Sequence, residues 1–192
     1  MTGRSGSPFR VALALVGTLV VCTAVVSAST AAVDRTARVV SGSKSPIVGT
    51  WGRQTTCAEL VAALKNAGMQ KWVLEFVAGN GFVPGVTAPG QLSDPAHPCA
   101  GAVPRRHSHF FTAGGKFGSL DGKGQPVDDG IYSVIDKRTF VISKEFPRVT
   151  FHYSIDGRNI RFAPVVQRGC ATFRCAWAIS MAYPGKAWQR VR

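Results

Sequence analysis

The chain has 192 residues, 45% of them hydrophobic, and carries 23 Lys and Arg against 10 Asp and Glu, a formal net charge of +13. That apolar content is enough for a packed core and excludes a disordered polar chain. The basic excess draws the protein to anionic surfaces, but the basic residues are spread singly. Without a basic helix or aromatic-basic interleaving, there is no dedicated nucleic-acid reader.

The amino terminus reads as an export signal. Met1 to Arg10 holds Arg4 and Arg10 and no acid, and Val11 to Ala28 holds no charge at all. Val26-Ser27-Ala28 then supplies small or β-branched residues before a cut, so residues 1–28 have the anatomy of a signal peptide. Ala31 and Ala32 are alternative cut sites. The apolar run from 11 to 33 also exceeds the roughly 20 residues that span a bilayer. An uncleaved signal anchor therefore competes with cleavage, and either way the domain faces outward. Val21 before Cys22 is too bulky for a lipidation site, and no Arg pair marks twin-arginine export. Removing the two signal arginines leaves a net charge of +11.

Residues 29–46 are small and polar with scattered charge, which reads as a flexible tether. Residues 47–192 then have the size of one domain. Ile47 to Trp51 is a short strand. Thr56 and Glu59 form a capping box, followed by Leu60, Val61 and Leu64 on one face and a stop at Gly68. This predicts one short amphipathic helix near residues 57–67. Trp72 to Val77 suits either a strand or a continuation of a helical hairpin. Ala78 to Pro104, rich in Gly and Pro, is a long loop that is either functional or tied down.

Of the five cysteines, Cys22 lies in the signal. Cys57, Cys99, Cys170 and Cys175 are an even set in an exported domain, hence disulfides, with three possible pairings. Cys57–Cys99 and Cys170–Cys175 are favoured because each closes a local loop.

The carboxyl half reads as strands with tight reversals. His107 to Phe111, Lys116 to Leu120, Ile131 to Ile135 and Thr139 to Ser143 come first. Val149 to Ile155 alternates cleanly, and Asp156-Gly157 turns into Ile160 to Phe162. Cys175 to Tyr183 reads as the last long strand, followed by Pro184-Gly185 and a short end segment. About eight strands in an antiparallel up-and-down meander predict a mainly β domain that closes into a barrel.

Gly49-Thr50-Trp51 resembles the G-x-W opening of lipocalin-like (calycin) barrels, in which the Trp sits under one barrel end and a late Arg packs across it. Arg190 is the residue that this resemblance assigns to that part. The segments Asp129 to Tyr132, Thr139-Phe140 and Phe151 to Gly157 are similar to strand pairs of small bacterial lipocalin-like domains, and to secreted actinobacterial proteins of no known function. The likeness covers roughly residues 47–56 and 105–192. It implies a barrel that binds a small apolar ligand. The helix and loop at 56–104 depart from the usual first hairpin. Arg53 and the lack of a carboxyl-terminal His depart from the haem-binding nitrobindin pattern.

Candidate sites are sparse. His107-x-His109 places two imidazoles on one strand face, and His152 on a later strand is a third nitrogen ligand for zinc or copper. Asp121, Asp128 and Asp129 flank a Gly-rich turn but lack calcium-loop spacing, and turn chemistry accounts for them. There is no nucleophile elbow, and Ser108 points away from its neighbouring histidines. Three readings follow. The first is a non-enzymatic exported barrel that binds a small apolar ligand or an anionic cell-envelope component. The second is a structural or interaction domain with a filled barrel, held at the membrane only if its amino-terminal segment stays uncleaved. The third is a metal protein using His107, His109 and His152.

Overall fold

A computed structural model describes residues 45–143 and 148–191. The signal at 1–28, the candidate anchor at 11–33 and nearly all of the tether at 29–46 lie outside the described residues. No described helix is long and apolar enough to cross a membrane.

Eight strands form a closed antiparallel barrel in strict meander order: β1 Gly49–Thr55, β2 Arg105–Phe111, β3 Lys116–Leu120, β4 Pro126–Asp136, β5 Thr139–Ser143, β6 Val149–Asp156, β7 Asn159–Pro164 and β8 Ala187–Arg190. Closure comes from β1 pairing with both β2 and β8, with Trp51 opposite His109 on one side and Arg190 on the other. Full closure leaves no strand edge to pair with another chain.

Three helices interrupt the meander: α1 Cys57–Asn66 and α2 Val73–Gly79 between β1 and β2, and α3 Phe173–Ala182 between β7 and β8. The strand register puts both insertions at one barrel end, where β1 and β7 finish and β2 and β8 begin. The predicted capping box starts α1: Thr56 Oγ1 accepts from the Glu59 amide, and Glu59 accepts from the Thr56 amide. The segment that suited either state, 72–77, falls in a short 3-10 turn and α2.

One strand prediction is overturned. Cys175 to Tyr183 is not the last strand but most of α3 and its cap. Seven of the ten α3 residues are buried, so the segment shows neither a two-residue nor a 3.6-residue period in its polarity. A short apolar run of this kind does not distinguish a strand from a buried helix. The deciding signal is Thr172, whose hydroxyl caps the helix by accepting from the Cys175 amide. Tyr183 ends the helix with φ 44°, a left-handed conformation that is rare outside glycine. The closing strand is instead the short end segment, with Trp188 pointing inward.

Both favoured disulfides are present, Cys57–Cys99 and Cys170–Cys175. The first ties the long 78–104 connection to the start of α1, and the second staples the approach to α3. Such bonds belong to an oxidising, extracytoplasmic compartment.

The barrel interior is filled. Trp51, Phe111, Phe117, Phe140, Phe151, Phe162 and Trp188 point inward and are almost wholly buried. Their rings interlock, with Phe140 stacked on Phe151 at 5.1 Å and Phe111 edge-on to Phe140 at 5.4 Å. Each such ring buries about 150–250 Å², which makes this cluster the main apolar contribution to folding. The apolar-ligand lumen that the lipocalin resemblance implies is therefore occupied by a packed aromatic core.

At the barrel end opposite the helices, Arg190 lies over Trp51, with its guanidinium carbon 4.3 Å from the ring centroid. Its two terminal nitrogens donate to the Val48 and Pro46 carbonyls, and the Trp51 indole donates to the Ile47 carbonyl. Gly49, with φ 138°, takes a backbone angle that suits glycine.

Candidate functional site

At the helical end the inward side chains change from apolar to polar. His107 and His109 alternate with Ser108 along β2, so both imidazoles enter the barrel, with ring centroids 4.8 Å apart. Arg53 sits opposite His107 in the register. Its guanidinium donates to both oxygens of Glu59 at 2.9 Å and lies over the Tyr183 and Trp188 rings at 5.4 and 5.9 Å. One guanidinium nitrogen of Arg53 is buried without a hydrogen-bond partner; the ring faces of Tyr183 and Trp188 supply the attraction there. Burial opposes ionisation of Glu59, but the Arg53 charge and the Thr56 amide outweigh it and hold its carboxyl below the usual range.

His109 is fully buried and bridges two elements. Nε2 lies 2.9 Å from the Met181 carbonyl, which can only accept, so Nε2 carries the proton. Nδ1 therefore accepts from the Ser119 hydroxyl at 2.9 Å. Met181 lies in the last turn of α3, where carbonyls have no helical partner. His109 thus pins the end of α3 to the barrel interior as a neutral ring. Burial pushes its pKa well below the ordinary histidine value, with the neighbouring His107 adding to the fall and the Met181 contact resisting it. Burial, then the Arg53 charge, pushes His107 down to about 4. Tyr183 is shifted the other way: burial raises its hydroxyl well above the usual phenol range.

His152 does not join these rings. It sits on the outer face of β6, exposed, with Nδ1 3.2 Å from the Thr139 hydroxyl. The predicted three-histidine arrangement is thus split between the inside and outside of the barrel. Among the described residues there is no group of three or more His, Cys, Asp or Glu side chains placed to hold a metal ion. Asp121 is turn chemistry, as expected: its carboxylate accepts from the Lys123 and Gln125 amides at 2.8 Å.

Open space lies beside the barrel mouth, between α2 and strands β2 to β4. Two recesses adjoin there, of about 500 Å³ and about 310 Å³. They share Gly79, Asn80, His107 and Val127 as common walls. The larger is bounded by Arg105, Arg106 and Lys123, with Phe82 and Leu120 beneath. The smaller is bounded by Phe76, Phe173 and Trp177, with Glu75, Asp128 and Ser119 among them. The volumes match those of small-molecule sites, and the lining mixes apolar with polar groups. Of the cleft's walls, His107 and His109 were visible in sequence as a histidine pair, and Asp121 and Asp128 as turn aspartates. Asn80, Trp177 and the Arg105-Arg106 pair become neighbours only through the fold.

No protein-family model matches the chain, and none of the curated proteins or solved structures is significantly similar to it.

Proposed function

We propose that this protein is a non-enzymatic, extracytoplasmic binding domain whose ligand occupies the cleft beside the barrel mouth rather than the lumen. The observation that carries this reading is the paired recess meeting at His107, beside a barrel whose centre is filled with aromatic rings. Helices α2 and α3 supply part of its walls, with α3 stapled by Cys170–Cys175, and preformed walls lower the cost of ordering a site. In this reading residues 1–28 direct export, residues 29–46 tether the domain, and the chain works at the cell envelope. The Trp51–Arg190 arrangement supports kinship with calycin barrels, with the ligand displaced from the usual mouth by the helical insertions.

The test is amide mapping by NMR with a library of small organic acids and apolar fragments. Ligands of the cleft shift Asn80, His107 and Val127 together. Shifts centred on Phe140 and Phe162 would refute the cleft and restore a lumen site. The filled interior also favours a second reading, an interaction domain with no small ligand; a library that shifts no cleft residue selects it.

A further inference from the structure

The barrel end opposite the helices is built from three short reversals, and each carries an exposed cation. Lys116 stands at the β2–β3 turn, Lys137 and Arg138 between β4 and β5, and Arg158 between β6 and β7. Two acids share these turns. The Asp136 carboxylate accepts from the Arg138 amide and so serves its own turn, which leaves Asp156. Backbone contacts fix where the cations stand. The Arg138 carbonyl accepts from the Tyr153 amide, the Arg158 carbonyl accepts from the Arg190 amide, and the Arg158 guanidinium donates to the Arg190 carbonyl. The charges are therefore spread over separate turns instead of converging on one point. Such an array suits an extended anionic surface better than a single small anion.

Apolar groups stand at the same end. Ile135, where the β4–β5 register shifts, is 45% exposed, and Val191, just after β8, is 39% exposed. Adhesion to a bilayer gains from both kinds of group, because apolar side chains enter the headgroup layer while cations attract anionic lipid. A soluble polyanion gains nothing from the apolar ones. The chain also joins the domain here: Ile47 is fully buried, and Arg190 donates to the Pro46 and Val48 carbonyls. Arg38 and Lys44 lie in the residues that lead into this end, so the basic character continues along the sequence.

Resting on the reading of an exported domain at the cell envelope, we propose that the barrel end opposite the helices docks on a bilayer with anionic headgroups, through Lys116, Lys137, Arg138 and Arg158 with Ile135 and Val191. The docked barrel stands on the membrane by that end. Its cleft, at the helical end, then faces away from the bilayer and stays open to solution.

The experiment adds lipid nanodiscs to the protein, disulfides intact, and follows backbone amides by NMR. The discs are phosphatidylcholine alone or phosphatidylcholine mixed with phosphatidylglycerol, each with a trace of lipid carrying a nitroxide on its headgroup. On the anionic disc, the amides of Gly114 to Lys116, Asp136 to Arg138, and Gly157 with Arg158 should broaden, while Asn80, His107 and Val127 stay sharp. Affinity should exceed that for the neutral disc by about tenfold or more and fall with added salt. Lys137→Glu with Arg138→Glu should remove that advantage, and Ile135→Ser should weaken binding several-fold. Arg106→Glu with Lys123→Glu, an equal change of charge at the helical end, should leave binding nearly unchanged. Near-UV circular dichroism confirms that the variants keep their aromatic packing. Equal losses from the two charge reversals would overturn the docking face, since net charge alone would then explain the binding. Broadening centred on the cleft amides would overturn the orientation, and equal behaviour on the two discs would overturn the role of anionic lipid. Inorganic polyphosphate binding the same turns as tightly as the anionic disc would assign them to a soluble polyanion instead. If the anionic disc does not bind while cleft ligands still shift Asn80 and His107, the docking inference falls and the cleft reading stands.

Discussion

Acidification separates the buried histidines from every other titrating group that the fold perturbs. His107 has its pKa at about 4 in the folded protein, against 6.5 for the free side chain, and His109 is lowered well below 6.5. Both rings are therefore neutral when folded and protonated when unfolded as pH drops below 6.5. The unfolded state binds more protons in that range, so stability is fully present above pH 6.5 and falls as pH falls. His107 contributes about 1.4 kcal/mol per pH unit, so over two units it removes up to about 3 kcal/mol by pH 4.5, and His109 adds to the loss in the same direction. That is a large share of the stability of many domains, about 5–15 kcal/mol. The carboxylates act elsewhere. Glu59, Asp94, Asp121 and Asp136 are all lowered in the folded state, so their contribution persists above their unfolded values near 4 and is lost only at lower pH. Urea unfolding followed by tryptophan fluorescence at pH 7.5, 6.5, 5.5 and 4.5 reads this directly. The midpoint should hold between 7.5 and 6.5, then fall steeply to 4.5, and His107→Gln should make that fall shallower. A midpoint that stays level from pH 6.5 to 4.5 would refute the assignment of both rings as buried and neutral.

Other outcomes follow from the same geometry. Replacing His109 with Leu leaves the Met181 carbonyl and the Ser119 hydroxyl buried without partners, which costs about 2–4 kcal/mol; adding Ser119→Ala should recover part of that loss in a double-mutant cycle. Gly118 lies under the Phe110 ring, and a Cβ there would also come within 2.7 Å of the Asp128 carbonyl. Gly118→Val should therefore lower the urea midpoint by an amount equivalent to about 1–3 kcal/mol, with the loss of near-UV signal reporting displaced aromatic packing. Of the two disulfides, Cys57–Cys99 closes a separation of 42 residues and Cys170–Cys175 one of 5. Chain-entropy estimates give about 4 and about 2 kcal/mol for them, so paired Cys→Ala variants should rank in that order by calorimetry. Arg190→Met removes the cation over Trp51 and two carbonyl contacts; it should lower the midpoint and leave binding in the distant cleft unchanged.

Much of the barrel was legible because its cues are local. Asp156-Gly157 between alternating runs specifies a hairpin from a few adjacent residues, and β6 with β7 appears where the alternation of Val149, Phe151, Tyr153 and Ile155 put it. The Thr56–Glu59 box specifies α1 in the same way. The helix α3 was misread because it is buried on most of its surface, so the polarity pattern that separates helix from strand is missing. The number of strands was still eight, since Ala187–Arg190 closes the sheet in place of that segment. The histidine site failed for a different reason. Period-two alternation correctly put His107 and His109 on one face, but nothing in one strand says whether the facing residue of another strand points in or out. His152 points out.

By itself, the sequence determined seven of the eight strands, most of their turns, the capped first helix and the basic charge, and it favoured the disulfide pairs that form. Each rests on neighbours along the chain or on composition. The tertiary structure alone decided that the aromatic residues fill the barrel instead of lining a cavity. It also brought Asn80, His107, Lys123 and Trp177 around one cleft. Those are long-range matters: whether space is occupied, and which distant side chains share it, depends on how the helices seat on the barrel, and no local pattern encodes that.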